Sequence, residues 1–307
     1  ALSSAASDVY KRQVLYDGND KLDAEELKEK FEEKDRERLT IVLGELTRTD
    51  LLGVELSVIS PGIPLDAPFV PVLDEAKIPI WSEIQLAYHV SKGKLIAITG
   101  TNGKTTTTAL TGEIMKAHFE EVYVVGNIGI PYTETALDTT DEAVTVAEVS
   151  SFQLETTENF HPAVTAVLNI TPDHLNRHHT MENYVAVKES ITKNQTKEDT
   201  CVLNYEDPYT RDFGERCPAS VVWFSSARKL EEGYYLDGED ICRSVDGTEE
   251  RLMNIHDMQL LGIHNVENVM AAIAMSSSYG VPMEHILNTV KPVSYTHLRA
   301  HETRRHL

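Results

Sequence analysis

LIAITGTNGKTTTT (residues 95–108) carries an apolar strand into Gly100-Thr101-Asn102-Gly103-Lys104-Thr105, and a helix follows without a break. Such a loop offers successive backbone N–H groups, and the helix start adds partial positive charge, so phosphates dock there. Gly100 and Gly103 supply conformations closed to residues with a Cβ. Lys104 is placed to reach the β- and γ-phosphates, and Thr105 to offer its hydroxyl to Mg²⁺. The match to the general phosphate-loop pattern is incomplete, because Ile98 stands where its first glycine would be. A plain glycine-containing turn is the alternative; Gly-Lys-Thr set right at the helix start favours phosphate.

Working outward, strands and helices alternate, which implies an α/β fold with a mainly parallel sheet and helices on its faces. Before the loop, strands are expected at 14–17, 40–44, 55–60 and 78–81. A charged helix is expected over 23–37, with Leu27 and Phe31 on its one apolar stripe, followed by helices at 71–77 and 82–90. SPGIP (60–64) is turn chemistry directly after a strand, and SKGK (91–94) reads as a linker. After the loop come a helix at 104–118, strands at 121–126, 143–149 and 164–170, a helix at 181–195 and a strand at 200–204. Shorter strands with turns at DGED and DGTE make 219–257 a small antiparallel piece, and helices at 264–279 and 283–290 close the unit. The expected division is 14–92 and 93–292. The flanks 1–13 and 293–307 resemble translated sequencing-adapter sequence, so His297, His301 and His306 are left out of the fold and are not read as a metal cluster.

The chain of 307 residues is long enough for two domains, with 41% hydrophobic and 25% charged residues, the balance of a soluble globular protein. No apolar run approaches the roughly 20 residues that cross a bilayer. Cys201, Cys217 and Cys242 are too few and too widely spaced for a disulfide framework or a zinc site, which points to a cytoplasmic location. The formal charge of −21 argues against nucleic-acid and anionic-membrane partners. An anionic substrate must then be received by local dipoles, a few cations or metal ions.

Four further stretches carry chemistry. AEVSSFQLE (147–155) follows the apolar strand AVTV, and Glu148 at its end is either a solvated rim residue or a carboxylate for Mg²⁺. NITPDHLNRHHTMENYVAVKES (169–190) sets Asp173-His174 in a loop after a strand; His178 and His179 are expected at the surface. On the helix that follows, Met181, Tyr184, Val185 and Ile191 define an apolar arc with Lys188 near its middle. A lysine there must snorkel to water or be neutralised or paired. LGIHNVENVMAAIAM (261–275) places Asn265 and Asn268 at i, i+3 on the first turn of a helix, suited to an adenine edge or to capping.

The shortened loop TGTNGKTT, with these motifs in this order, resembles the Mur ligases and folylpolyglutamate synthases. That resemblance covers about 14–292. It implies a Rossmann-like N-terminal domain, truncated at its start, followed by a P-loop-type central domain with a mainly parallel sheet and a small antiparallel portion. It also implies ATP-driven amide formation through an acyl phosphate. SSFQLE and GNIGIP (126–131) are similar to the member that adds D-glutamate to UDP-N-acetylmuramoyl-L-alanine. Other members of the family, or a nucleotide-binding module without catalysis, are the alternatives. Carried over residue by residue, ATP falls to Gly100, Thr101, Asn102, Gly103, Lys104, Thr105, Thr106, Asn265 and Asn268. The UDP-substrate falls to Asp17, Ser60, Pro61, Gly62, Asn127 and Ser150. Two Mg²⁺ ions fall to Thr105, Glu148, His174 and Lys188, the lysine carbamylated by carbon dioxide. Lys104, Lys188, His174 and Glu148 are the implied catalytic set. The family's amino-acid-binding third domain is not recognised here, so the polypeptide as written is expected to be an inactive fragment and a monomer.

Overall fold

The computed structural model describes residues 12–127, 129–258 and 262–292. The adapter-like flanks lie outside these residues, apart from Arg12 and Gln13. Gln13 already belongs to the first strand, paired with Leu39.

In the first unit, β1 (Gln13–Asp17) lies parallel to β2 (Leu39–Leu43), and β3 (Ser57–Ile59) lies parallel to β4 (Ile80–Ser82). Each pair is joined by a helical crossover, as parallel strands require. The two pairs are separate two-stranded sheets and do not form one sheet. The single charged helix expected over 23–37 is instead α1 (Ala24–Glu29) and α2 (Glu33–Arg36). Asp23 caps the start of α1, and the Arg36 guanidinium donates to the carbonyls of Glu29 (2.7 Å) and Phe31 (2.8 Å) across the break. With no buried residue in either helix, packing offers nothing to hold one continuous rod. A small core of Leu46, Leu51, Leu73 and Ile78 sits beneath α3 (Val70–Glu75), where Tyr16 meets Phe69 edge-on.

Ser82 caps α4 (Glu83–Val90), whose Ile84 and Ala87 are buried in the core of the second unit. The second unit is a nine-stranded sheet built on β5 (Lys94–Thr99), β6 (Val122–Gly126), β7 (Val144–Glu148), β8 (Val164–Val167), β9 (Thr200–Asn204) and β10 (Ser220–Ser225), then β11 (Gly233–Asp237), β12 (Asp240–Val245) and β13 (Thr248–Asn254). Their spatial order is β13-β12-β11-β10-β9-β8-β5-β7-β6. All pairs from β6 to β11 are parallel, and only β11–β12 and β12–β13 are antiparallel. The antiparallel piece expected at 219–257 is therefore an extension of the main sheet, and its first strand, β10, is parallel.

Alternation along β5 shows why the sheet is covered twice. Ile96 and Ile98 enter one core with α5 (Lys104–Lys116), α11 (Ile263–Tyr279) and α12 (Met283–Val290). Leu95 and Ala97 enter the other, with α4, α6 (Tyr132–Thr135), α9 (Met181–Glu189) and α10 (Pro208–Gly214). Successive side chains point to opposite faces, so a continuous apolar run fits only a sheet buried on both sides. The chain leaves β5 for β6 and β7 on one side and returns to β8 on the other. The loop after β5 thus opens at a topological switch point, where ligands of open α/β sheets bind. Among the described residues, no helix is long and apolar enough to cross a membrane.

Candidate nucleotide and metal site

Gly103 closes the loop as the N-cap of α5 with φ +85°. A Cβ there would sit 2.2 Å from Asn268 Oδ1, so the start of α11 rests directly on the loop. Asn265 and Asn268 are both buried, their carboxamides 3.5 Å apart. Neighbouring strands brace the loop from below. Asn102 N–H donates to Asn169 Oδ1 (2.8 Å) while Asn169 Nδ2 donates back to the Asn102 carbonyl (3.0 Å). The Thr101 hydroxyl accepts from Thr171 N–H (3.0 Å) and lies 3.1 Å from the Tyr184 hydroxyl. Asn169 and Tyr184 were not singled out as functional in the sequence; only their neighbourhood to Asp173 and Lys188 hinted at them.

Two lysines converge on one carbonyl. Lys104 Nζ donates to Gly100 O (3.0 Å) and Thr101 O (2.9 Å). Lys188 Nζ donates to the same Gly100 O at 2.7 Å. Lys188 is only 1% exposed, so it does not snorkel. Burial, reinforced by the Lys104 ammonium, pushes its pKa down to about 7 against the pull of Asp173 and Glu148. Burial also lowers Lys104, again opposed by Glu148 and Asp173.

Glu148, at the end of β7, is 2% exposed, which removes the solvated-rim alternative. Its carboxylate accepts from the Thr105 hydroxyl (3.2 Å) and from Asn127 Nδ2 (3.0 Å), and its backbone carbonyl accepts from Asn127 N–H (2.9 Å). The ends of β5, β6 and β7, with α9 beside them, thus bring Lys104, Thr105, Asn127, Glu148 and Lys188 to one end of the sheet.

The remaining residues are placed less centrally. His174 takes a left-handed backbone (φ +51°) and is exposed. Its ring contacts are Asp173, 3.4 Å away, and Phe152, with centroids 5.0 Å apart. Among the described residues no group of three or more His, Cys, Asp or Glu side chains is arranged to hold a metal. Thr105 and Glu148 nonetheless offer the hard oxygen donors that suit Mg²⁺. Ser150 caps the short helix α7 (Ser151–Leu154) in a capping box with Gln153. Ser60, Pro61 and Gly62 form the turn after β3, whereas Asp17 ends β1 on the other sheet pair and accepts from Asn19 N–H (2.8 Å).

His178 corrects an expectation. His179 is exposed, but His178 is buried, its Nε2 2.9 Å from Ser151 Oγ and its Nδ1 3.4 Å from Glu155. Phe152 and Tyr184 flank its ring, and burial lowers its pKa. The short helix α8 (Leu175–His178) turns this side chain inward, a rotation that the motif's run of polar residues concealed.

Glu83 connects α4 to this region by accepting from Gln153 Nε2 (2.6 Å), while its other oxygen is buried without a hydrogen-bond partner among the described residues. Burial raises its pKa above 4.5, against the opposing hydrogen bond from Gln153. A raised carboxyl favours the folded state below the unfolded pKa and loses that contribution as pH climbs through the folded value. Glu83→Gln is therefore expected to be more stable than the parent at pH 7.5, with the advantage gone by about pH 4. Thermal unfolding at the two pH values checks this.

The family description "Mur ligase middle domain" matches residues 98–276, more than half of the chain. The chain belongs to the Mur ligase family. Curated Mur ligase relatives include UDP-N-acetylmuramoylalanine–D-glutamate ligases from Lachnospira eligens, 56% identical over 91% of this chain, and Lachnoclostridium phytofermentans, 51% identical over 90%. The chain spans 61% of the length of each. Among solved structures, the UDP-N-acetylmuramate:L-alanyl-gamma-D-glutamyl-meso-diaminopimelate ligase from Neisseria meningitides superposes with a TM-score of 0.58 at 16% identity. It covers 83% of this chain and 84% of its own. A UDP-N-acetylmuramate–alanine ligase from Thermotoga maritima gives 0.52 at 21% identity, covering 82% of this chain and 57% of its own. These two similarities bear on the Mur ligase fold alone.

Proposed function

We propose that this chain carries the ATP- and metal-binding machinery of a ligase that joins D-glutamate to UDP-N-acetylmuramoyl-L-alanine in peptidoglycan synthesis. The observation that carries this reading is Lys188, buried and hydrogen-bonded to the phosphate-loop carbonyl that Lys104 also uses. Two amines at one carbonyl are mutually repulsive until anionic groups enter between them. A triphosphate on the loop amides supplies such groups for Lys104. Carbamylation supplies one at Lys188, where a pKa of about 7 leaves much of the amine neutral and nucleophilic toward carbon dioxide at neutral pH.

In the reaction, the γ-phosphoryl group of ATP passes to the substrate carboxylate, giving an acyl phosphate and ADP. The D-glutamate amine then attacks the acyl carbon and expels inorganic phosphate. Phosphoryl transfer asks mainly for positioning and charge neutralisation. Lys104 and the amides of Gly100–Thr106 would hold the phosphates, with Asn265 and Asn268 beside the base. Thr105 and Glu148 would hold one Mg²⁺, and His174 with carbamylated Lys188 a second. Bound there, Mg²⁺ supplies neutralising charge for the phosphates. The neighbouring oxygens of Thr105 and Glu148, 3.2 Å apart, have the donor chemistry that suits the first ion. The second depends on the carbamate, because an imidazole alone is a weak partner for Mg²⁺. Ser60, Pro61, Gly62, Asp17, Asn127 and Ser150 are assigned to the UDP-substrate. The names and high identity of the curated relatives support D-glutamate as the amino acid.

The test is phosphate release with ATP and UDP-N-acetylmuramoyl-L-alanine, using the chain extended to the length of its relatives, across a panel of amino acids. Release that requires D-glutamate is expected. Release driven by another amino acid, or by none, would overturn the assignment.

A further inference from the structure

Arg177 has no part in the chemistry assigned so far, yet it joins the turn after β3 to Glu155 and Phe152 of the second unit. Its guanidinium is held in a fork by Glu155, with Nε 3.3 Å from Oε1 and Nη2 2.5 Å from Oε2. Both side chains are only 11% exposed. The same Nη2 reaches back across the chain to the carbonyl of Ile63 at 2.8 Å. Ile63 lies in SPGIP, the turn after β3 that carries Ser60, Pro61 and Gly62. The guanidinium also lies over the Phe152 ring at 4.8 Å, and that ring in turn contacts the imidazoles of His174 and His178. A cavity of about 440 Å³ beside the fork is walled by Leu65 from the first unit and by Glu155, Arg177 and His178 from the second.

We infer that Arg177 is a positioning residue, a strut that fixes the first-unit turn against the motif carrying Ser150 and against the seat of His174. The inference rests on the proposed function and adds to it. If the turn holds the UDP-substrate and the loop holds ATP, Arg177 keeps the two reactants in one frame. Arginine suits this because its planar fork can grip a carboxylate with two donors and keep another N–H for a third acceptor. Lysine, with a point charge on a flexible stem, can keep the ion pair but does not reproduce that three-point geometry. A purely structural ion pair and a positioning strut therefore respond differently to Arg177→Lys.

Removing Arg177 alone would leave Glu155 buried and uncompensated, which is destabilising by itself. The informative variants are Arg177→Lys and the neutral pair Arg177→Met with Glu155→Gln. Both are made in the chain extended to the length of its relatives, with thermal unfolding as the check on folding. Four quantities are measured. They are kcat and KM for D-glutamate-dependent phosphate release, Mg²⁺-ATP affinity without the UDP-substrate, and amide hydrogen exchange over 60–67. Misplacement of reactants by about 1 Å can cost on the order of 100-fold in rate. The expected result for both variants is a loss of that size in kcat/KM for UDP-N-acetylmuramoyl-L-alanine, Mg²⁺-ATP affinity within twofold of the parent, and faster exchange at the turn. Arg177→Lys with kinetics within twofold of an active parent would overturn the strut while leaving the functional reading intact. So would a loss of Mg²⁺-ATP affinity in step with the rate, because the pair would then be supporting only the second unit. A parent with no D-glutamate-dependent release would overturn the functional reading, and the strut with it.

Discussion

Gly103→Ala is expected to weaken Mg²⁺-ATP binding by about tenfold or more. A residue with a Cβ pays about 1–2 kcal/mol in the left-handed region, and 1.4 kcal/mol is a factor of ten in affinity. Here Gly103 has φ +85°, and the added methyl would overlap Asn268 Oδ1 at 2.2 Å. Asn268 is buried in the second turn of α11, so it cannot swing away freely. The loop must open instead, and its amides then no longer converge on one phosphate. Titration calorimetry measures the loss. Adding Asn268→Ala to the Gly103→Ala variant relieves the overlap but leaves the backbone strain and removes a side chain assigned to the base, so the affinity of the parent should not return. Full affinity in Gly103→Ala alone would show that the loop does not bind phosphate in this shape.

The second large effect concerns Lys188. Lys188→Ala is expected to lower ligase activity by on the order of 100- to 1,000-fold, the cost of losing one preorganised charge at a reacting centre. Folding should survive, because the substitution removes a buried ammonium that Lys104 repels. The truncated side chain leaves a polar void beside Gly100. Formate, acetate or bicarbonate can enter it and supply the missing anionic oxygens, so partial chemical rescue is expected. Lys188→Met fills the same void with an apolar stem and should be as inactive but not rescued. Full activity of Lys188→Ala without added acid would rule out the metal-ligand role.

The sheet was legible because its signals are local and strong. LIAIT, VTV and VTAV are apolar runs of strand length, each followed by turn or site residues, and a doubly buried parallel sheet leaves that pattern. Lys188 was legible for the opposite reason, as a charge where the helical period demands an apolar residue, and the structure buries it. The break between α1 and α2 was hidden, since it depends on Arg36 capping carbonyls several residues upstream and not on a glycine or proline. His178 was hidden because α8 spans a single turn, too short for periodicity to report which side faces inward. Arg177 and Asn169 were hidden because their partners, Ile63 and Asn102, are distant in sequence. A single sequence displays the chemistry of a residue, but long-range pairing is decided only when the strands are assembled.

Titrating ATP into the unsubstituted chain, with and without Mg²⁺, probes the shared pocket at its simplest, since neither the UDP-substrate nor the amino acid is needed. Binding should strengthen clearly with Mg²⁺, and that gain should vanish in Glu148→Gln, which keeps the shape of the side chain but removes its charge and turns one accepting oxygen into a donor. ATP affinity that is indifferent both to Mg²⁺ and to Glu148 would contradict a phosphate loop and carboxylate that share a metal ion.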